Sequence, residues 1–393
     1  MTFPINTPIH PGLVLGATDF ERTAAGLLPQ RLPEWARRQF PDEYLSRVVA
    51  QPSGVRLAFR TEATSIELDV LPTKTAYVGG PTMPDGVYEL TVDGKVLART
   101  TVPGGKVNLI EMATLSSTEQ PGEPGTARFT DLPAGLKDVR IWLPQIETTE
   151  LIALRTDAPV VESSTDSRRV WLHHGSSISH GSTAASPTTT WPATAARLGG
   201  VELINLGFSG NALLDPFTAR TMRDTPADLI SVKIGINLTN ADLIRLRGFT
   251  PAVHGFLDTI RDGHPTTPLL VVSPILCPIH EDTPGPGAPD FSGGALKFRA
   301  TGDPADVTSG KLTLGVIRDE LARIVAHRAD PNLHYLDGRE LFGAADIVEL
   351  PLPDNLHPAP AGHVRIGERF AQLAFGEGGV FSVSQTSTAG SPR

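Results

Sequence analysis

Two periodicities divide the chain. From Val55 onward apolar and polar residues alternate with period two, in Val55-Arg56-Leu57-Ala58-Phe59-Arg60, Ser65-Ile66-Glu67-Leu68-Asp69-Val70 and Tyr88-Glu89-Leu90-Thr91-Val92. Alternation of this kind turns one set of side chains toward a core and the other toward water, and it predicts strands. Asp93-Gly94 follows the third run at once. That dipeptide predicts a tight hairpin whose second strand is 95–101. Further strands are predicted at 127–129, 138–143 and 150–153. Many short strands joined by Gly/Pro turns predict a β-sandwich or jelly roll. Ahead of them, Pro4, Pro8 and Pro11 favour extended chain, and 33–40 predicts a short helix with Pro33 in its first turn.

The polar stretch 156–168 reads as a linker. Beyond it, strand and helix patterns alternate. Strands are predicted at 170–174, 201–206, 229–234, 269–273 and 332–336. Helices are predicted at 191–198, 217–223, 252–262, 312–327 and 361–375. This order predicts a parallel sheet covered on both faces. Chemistry in such sheets sits at the carboxyl ends of the strands. The segment 278–310 is rich in Pro, Gly and Asp and reads either as a lid or as a surface excursion. The expected organisation is an all-β domain over 1–160, an α/β domain over 168–380 and a disordered tail over 381–393.

Charge and composition narrow the function. The chain of 393 residues has a formal net charge of -9. Its densest basic groups are Arg37-Arg38, Arg168-Arg169 and Arg245/Arg247, so no nucleic-acid partner is expected. No segment approaches the roughly 20 apolar residues that span a bilayer, so no membrane partner is expected. No Lys or Arg precedes Arg22 and the apolar stretch 12–17 is too short for a secretory core, which predicts a cytoplasmic protein. The single cysteine, Cys277, cannot form an intrachain disulfide and reads as a packed thiol. No Walker, G-x-G-x-x-G or H-E-x-x-H motif occurs, and neither cofactor nor metal is expected.

The chemistry gathers at strand ends. The first α/β strand runs into Gly175-Ser176-Ser177-Ile178-Ser179-His180-Gly181. Small residues there let the backbone turn sharply and expose a serine, which needs a base to become a nucleophile. Taken alone, the same residues describe an ordinary strand-to-helix turn. A base is available in Pro353-Asp354-Asn355-Leu356-His357-Pro358, just before the last helix. Asp354 and His357, three apart, can share one turn, so the carboxylate can orient the imidazole. The second strand ends in Asn205-Leu206-Gly207-Phe208-Ser209-Gly210-Asn211 and the third in Gly235-Ile236-Asn237. A glycine amide and an asparagine side chain are suitable donors for a developing oxyanion.

With these four blocks in this order, the sequence resembles the SGNH, or GDSL-type, serine hydrolase superfamily. The resemblance covers 169–375. It implies a flavodoxin-like three-layer fold and an acyl-enzyme mechanism without metal. It implies Ser177, His357 and Asp354 as the catalytic residues, and the Ser177 amide, the Gly210 amide and the Asn237 side chain as the oxyanion hole. Two positions depart from the family pattern, Ser176 and Leu238, where acids are usual; loop support and substrate preference rest on them. The all-β domain resembles the jelly roll that precedes the SGNH domain in some carbohydrate esterases and actinobacterial acyltransferases.

The expected function is acyl transfer through Ser177. An esterase acting on a sugar or another hydroxylated small molecule is the first form. The alternative is an acyltransferase that moves an acyl group from an acyl-CoA-type thioester to a hydroxyl of a glycosylated natural product. A second alternative is a non-catalytic carbohydrate-binding protein. Among the remaining residues, His180 and His363 are candidates for substrate contact, His173 and His174 read as packing residues on opposite faces, and Trp142 and Trp191 read as core. Tyr77 and Tyr88 are candidates to face a sugar.

Overall fold

The computed structural model describes residues 5–80, 83–111, 116–163, 168–293 and 295–382. The alternating runs form a β-sandwich. One sheet carries Ile66–Tyr77 at its centre, flanked by Thr148–Thr156 and Lys106–Ile110. The other orders Val160–Glu162, Arg56–Thr61, Lys137–Trp142, Val87–Val92 and Lys95–Thr101. Leu57, Phe59, Leu68, Val70, Leu90 and Ile141 meet between the sheets and are buried. These are the inward positions of the period-two pattern. The Asp93-Gly94 hairpin is present, with φ of 49° and 79° at its two turn residues. Both are left-handed, as a turn that matches strand twist requires.

The second half forms a five-stranded sheet: β1 (Val170–Gly175), β2 (Glu202–Gly207), β3 (Leu229–Lys233), β4 (Leu269–Val272) and β5 (Leu333–Leu336). All neighbours are parallel, in the order β2-β1-β3-β4-β5. This is the flavodoxin-like order, with its switch point beside β1. The helices include α1 (Trp191–Gly199), α2 (Leu246–Gly263), α3 (Leu314–Arg328) and α4 (Pro360–Phe370). Helix α2 starts six residues ahead of the predicted 252. Pro251 sits inside it, and Phe249, Val253, Phe256, Leu257 and Ile260 are all buried along it. Packing of that stripe outweighs the backbone bond that proline forfeits. Among the described residues, no helix is long and apolar enough to cross a membrane.

Three expectations change. The linker 156–168 is partly strand: Thr156 pairs with Ile66, and Val160–Glu162 pairs with Arg56–Thr61. Residues 164–167 of that stretch lie outside the described residues. The tail begins later than 381, because Phe381 is fully buried against Phe370 and Phe375; the rest of it, 383–393, lies outside the described residues. The third change is a helix at Glu43–Ala50, which the sequence pattern did not predict. Its Leu45, Val48 and Val49, with Leu32 and Ala36 before it, join the core of the five-stranded sheet rather than that of the sandwich.

Arg31 explains how this segment is fastened. Its guanidinium is fully buried and faces no carboxylate among the described residues. It donates to the carbonyls of Gln51 (2.6 Å), Val48 (2.5 Å), Asn205 (3.1 Å) and Gly207 (2.6 Å), and it lies 3.1 Å from His180 Nδ1. Burial pulls its pKa down to about 9. The first-domain arginine thereby holds the carboxyl end of β2, from which one of the site loops departs.

Candidate active site

Strand β1 ends at Gly175, and Ser177–His180 forms a single helical turn directly after Ser176. The turn is tight because its neighbours are bare. A Cβ on Gly207, at the end of β2, would lie 2.4 Å from the His180 amide. Ser177 is the first residue of the turn, so its amide has no acceptor within the helix. It stands at the carboxyl edge of the sheet, beside the switch point.

His357 reaches Ser177 from the loop before α4. Asn355 takes φ of 67°, a left-handed conformation that asparagine tolerates, and the chain folds Asp354 back onto His357. One Asp354 oxygen accepts the amides of Leu356 (2.9 Å) and His357 (2.7 Å). The other accepts His357 Nδ1 at 2.6 Å. His357 Nε2 lies 2.9 Å from Ser177 Oγ. With Nδ1–H directed at the carboxylate, Nε2 is the acceptor for the serine proton. Burial opposes ionisation of Asp354, but the bonds from the His357 ring and the two amides outweigh it and hold the carboxyl below its usual range.

The other two blocks come together beside this relay. Gly210 has φ of 70°, and a Cβ there would meet Tyr44 Cε1 at 2.8 Å. Asn237 lies in the short helix Ile236–Asn240 and is buried. Its Oδ1 accepts the Ala212 amide at 3.1 Å, which orients the carboxamide and leaves Nδ2 as its donor. Ser209 and Ser182 hydroxyls, 2.8 Å apart, tie the Gly210 loop to the chain following the Ser177 turn. Leu238 packs in the hydrophobic core and Ser176 is buried, its hydroxyl without a partner among the described residues.

Several side candidates fall away from the site. His180 is buried against Arg31, the Gln145 carbonyl and the Gly207 carbonyl. His363 is buried, with Nε2 3.0 Å from Thr183 Oγ1. Burial lowers the pKa of both to about 3. Neither is free to touch substrate, because both are buried: His180 has partners for both ring nitrogens, and His363 has Thr183 on Nε2 and no partner for Nδ1 among the described residues. Tyr88 is fully buried in the sandwich and cannot face a sugar, whereas Tyr77 is 38% exposed. His173 and His174 pack on opposite faces, against Trp191 and Phe256 respectively. Trp142 and Trp191 are buried. Cys277 is buried, which pushes its thiol up to about 12.

Two aromatic residues at the site carried no sequence signal. Tyr44 comes from the unpredicted helix Glu43–Ala50 and rests on Gly210. Phe298 comes from the 278–310 segment, which holds a ribbon of Gly287–Asp290 and Lys297–Ala300. The Phe298 ring stands edge-on to His357, centroids 6.0 Å apart. Its amide donates to the Asp354 carbonyl (2.8 Å) and its carbonyl accepts from Asn355 Nδ2 (3.2 Å). One ring thus stands beside His357 and the other beside Gly210.

Comparison with known proteins bears on family and fold. Residues 168–277 match the GDSL-like lipase/acylhydrolase family model. A salicylyl-acyltransferase, SsfX3, from a tetracycline biosynthetic pathway is 28% identical, with a TM-score of 0.76 over 93% of this chain and 95% of that one. A protein assigned as a GDSL-like lipase from Bacteroides ovatus is 18% identical, with a TM-score of 0.63 over 91% and 93%. A family two carbohydrate esterase from Clostridium thermocellum, solved with cellohexaose, is 12% identical, with a TM-score of 0.55 over 81% and 91%. The last two likenesses are of fold. No curated protein matches the chain. Residues 168–277 thus carry a GDSL-like lipase/acylhydrolase block that begins at the first strand of a flavodoxin-like α/β domain, and this domain behind a β-sandwich makes the chain similar to SGNH/GDSL-type serine enzymes, the class that holds esterases and acyltransferases.

Proposed function

We propose that Ser177 carries the acyl group, with His357 as its base and Asp354 holding the imidazole. The observation that supports this most is the continuous Ser177–His357–Asp354 hydrogen-bond chain of 2.9 and 2.6 Å. His357 Nε2 takes the Ser177 proton as Oγ attacks the acyl carbonyl. The Ser177 and Gly210 amides and Asn237 Nδ2 receive the oxyanion. The C–O or C–S bond to the leaving group breaks, and His357 returns its proton to that group. A second hydroxyl then gives its proton to His357 and takes the acyl carbon, and Ser177 is regenerated.

The acceptor we infer is a hydroxyl of an organic molecule, with a thioester or another activated ester as donor. Two observations support transfer over hydrolysis. The likeness to the salicylyl-acyltransferase runs through both domains. Phe298 beside His357 and Tyr44 beside Gly210 also supply aromatic surface at the site loops, where a flat organic acceptor can displace water. Hydrolysis of an ester on a sugar is the second reading, and partial exposure of the His357 side chain (16%) favours it by leaving water a path. Partition of product decides between them. With p-nitrophenyl acetate as donor, a panel of phenolic and sugar alcohols is added. Transfer is expected to yield acylated alcohol in excess of free acid for at least one phenolic acceptor. Free acid alone across the panel would contradict transfer and leave the esterase.

A further inference from the structure

A cavity of about 320 Å³ lies between the sandwich and the α/β domain. Gly200, Val201 and Leu203 line it, so it sits at the amino end of β2. Ser177 follows the carboxyl end of β1, which runs parallel to β2 and in register with it. One strand of six residues therefore separates the two places, on the order of 15–20 Å.

The walls of this cavity are cationic. Arg56 and Arg140 reach it from the sandwich, Arg168 from the start of the α/β domain and Arg197 from α1. No carboxylate is among its described lining residues. The one acid that serves the cluster, Glu202, stands behind the wall. It takes Arg140 in a two-pronged pair (2.5 and 3.0 Å), Arg168 at 3.2 Å, and Arg56 in a further close pair. Arg197 forms no ion pair among the described residues. Four guanidinium groups thus reach the cavity, and one carboxylate serves three of them, in a chain whose net charge is -9.

A staple between domains explains the three arginines on Glu202. It does not explain Arg197, or a cavity from which acids are absent. Guanidinium groups in such numbers suit a multiply charged anion, since each planar fork presents paired donors. The indole of Trp142, over which Arg56 stacks at 4.8 Å, and the Thr91 and Thr188 side chains share the lining with the small apolar residues Val96, Ala193 and Ala196. The volume exceeds what one small ion fills. We propose that this cavity binds a phosphate-bearing anion, either free phosphate or the phosphate end of a larger molecule.

The test uses the full chain at constant ionic strength. Thermal unfolding and calorimetric titration are followed with inorganic phosphate, with adenosine 3′,5′-bisphosphate and with acetate. Saturable binding and a concentration-dependent rise in Tm are expected for the phosphates and not for acetate. Tighter binding of the bisphosphate assigns the site to a phosphate ester, and equal binding assigns it to the free ion. Arg197 is exposed and outside the Glu202 network, so Arg197→Gln is expected to fold. It is expected to weaken phosphate binding about tenfold while turnover of p-nitrophenyl acetate without phosphate is unchanged. Absence of saturable binding, an equal response to acetate, or undiminished binding by an Arg168→Gln/Arg197→Gln double variant would overturn the site.

Discussion

At the scale of single residues, the site depends on donors whose partners are already fixed. Asn237 is the clearest case. Its Oδ1 is taken by the Ala212 amide, so in the oxyanion role proposed for it Nδ2 would not have to reorient as negative charge develops on the substrate oxygen. Asn237→Ala is expected to lower kcat about 100–1000-fold with a small change in KM. Steady-state rates on an activated ester check this, and an unchanged kcat would remove Asn237 from the oxyanion hole. The departures from the family pattern now have local descriptions. Leu238 is a core residue, and Ser176 is a buried hydroxyl with no partner among the described residues. Neither position lies in the Ser177–His357–Asp354 chain, so a missing acid at either leaves the relay whole.

At the scale of elements, the 278–310 segment turns out to be part of the site's support. Its ribbon is hydrogen-bonded through the Phe298 backbone to the Asp354 carbonyl and to the Asn355 side chain. Phe298→Pro removes the donor to the Asp354 carbonyl and the ring beside His357 together. Loss of positioning on this scale is expected to reduce kcat about ten- to a hundredfold, with Ser177 still present. Rates and a circular dichroism spectrum, compared with the parent chain, measure it. A rate equal to the parent's would mean that the ribbon is only a surface excursion. The sequence showed the strands and helices well where the pattern was regular: the 95–101 hairpin strand and all five parallel strands are within about a residue of their predicted ends. It did not show the Glu43–Ala50 helix or the ribbon. The helix buries its apolar side against a core built largely from residues more than a hundred positions away, and the ribbon is hydrogen-bonded to the Asp354 loop more than fifty positions on. Both are fixed by long-range contact, which no local period records.

At the scale of the whole molecule, the two halves are joined through polar groups buried at their boundary. Arg31 binds the end of β2, Ser53 donates to the His180 carbonyl at 2.6 Å, and the Glu202 cluster joins both domains. Such groups make stability depend on pH. Burial lowers His174 to about 4 and His180 and His363 to about 3, from an ordinary value of about 6.5. The folded chain keeps all three neutral, whereas the unfolded chain protonates them below that value. Their contribution is therefore intact above about pH 6.5 and is lost as pH falls toward the folded values. Each adds a slope of up to about 1.4 kcal/mol per pH unit in that window. Tm is expected to be level from pH 8 to 7 and to fall steeply between 6 and 4.5; a flat Tm down to 4.5 would mean that these histidines are not held neutral. The residues of the Ser177–His357–Asp354 chain were legible because four short blocks follow one another in a fixed order. Tyr44 at Gly210 and Phe298 at His357 were not, because only the folded chain brings them there. The central claim, an acyl group carried by Ser177, is tested most directly by intact-mass and peptide mass spectrometry after exposure to a fluorophosphonate. One adduct, on Ser177, is expected, absent from Ser177→Ala and formed far more slowly by His357→Ala. An adduct that persists in Ser177→Ala, or none in the parent chain, would contradict it.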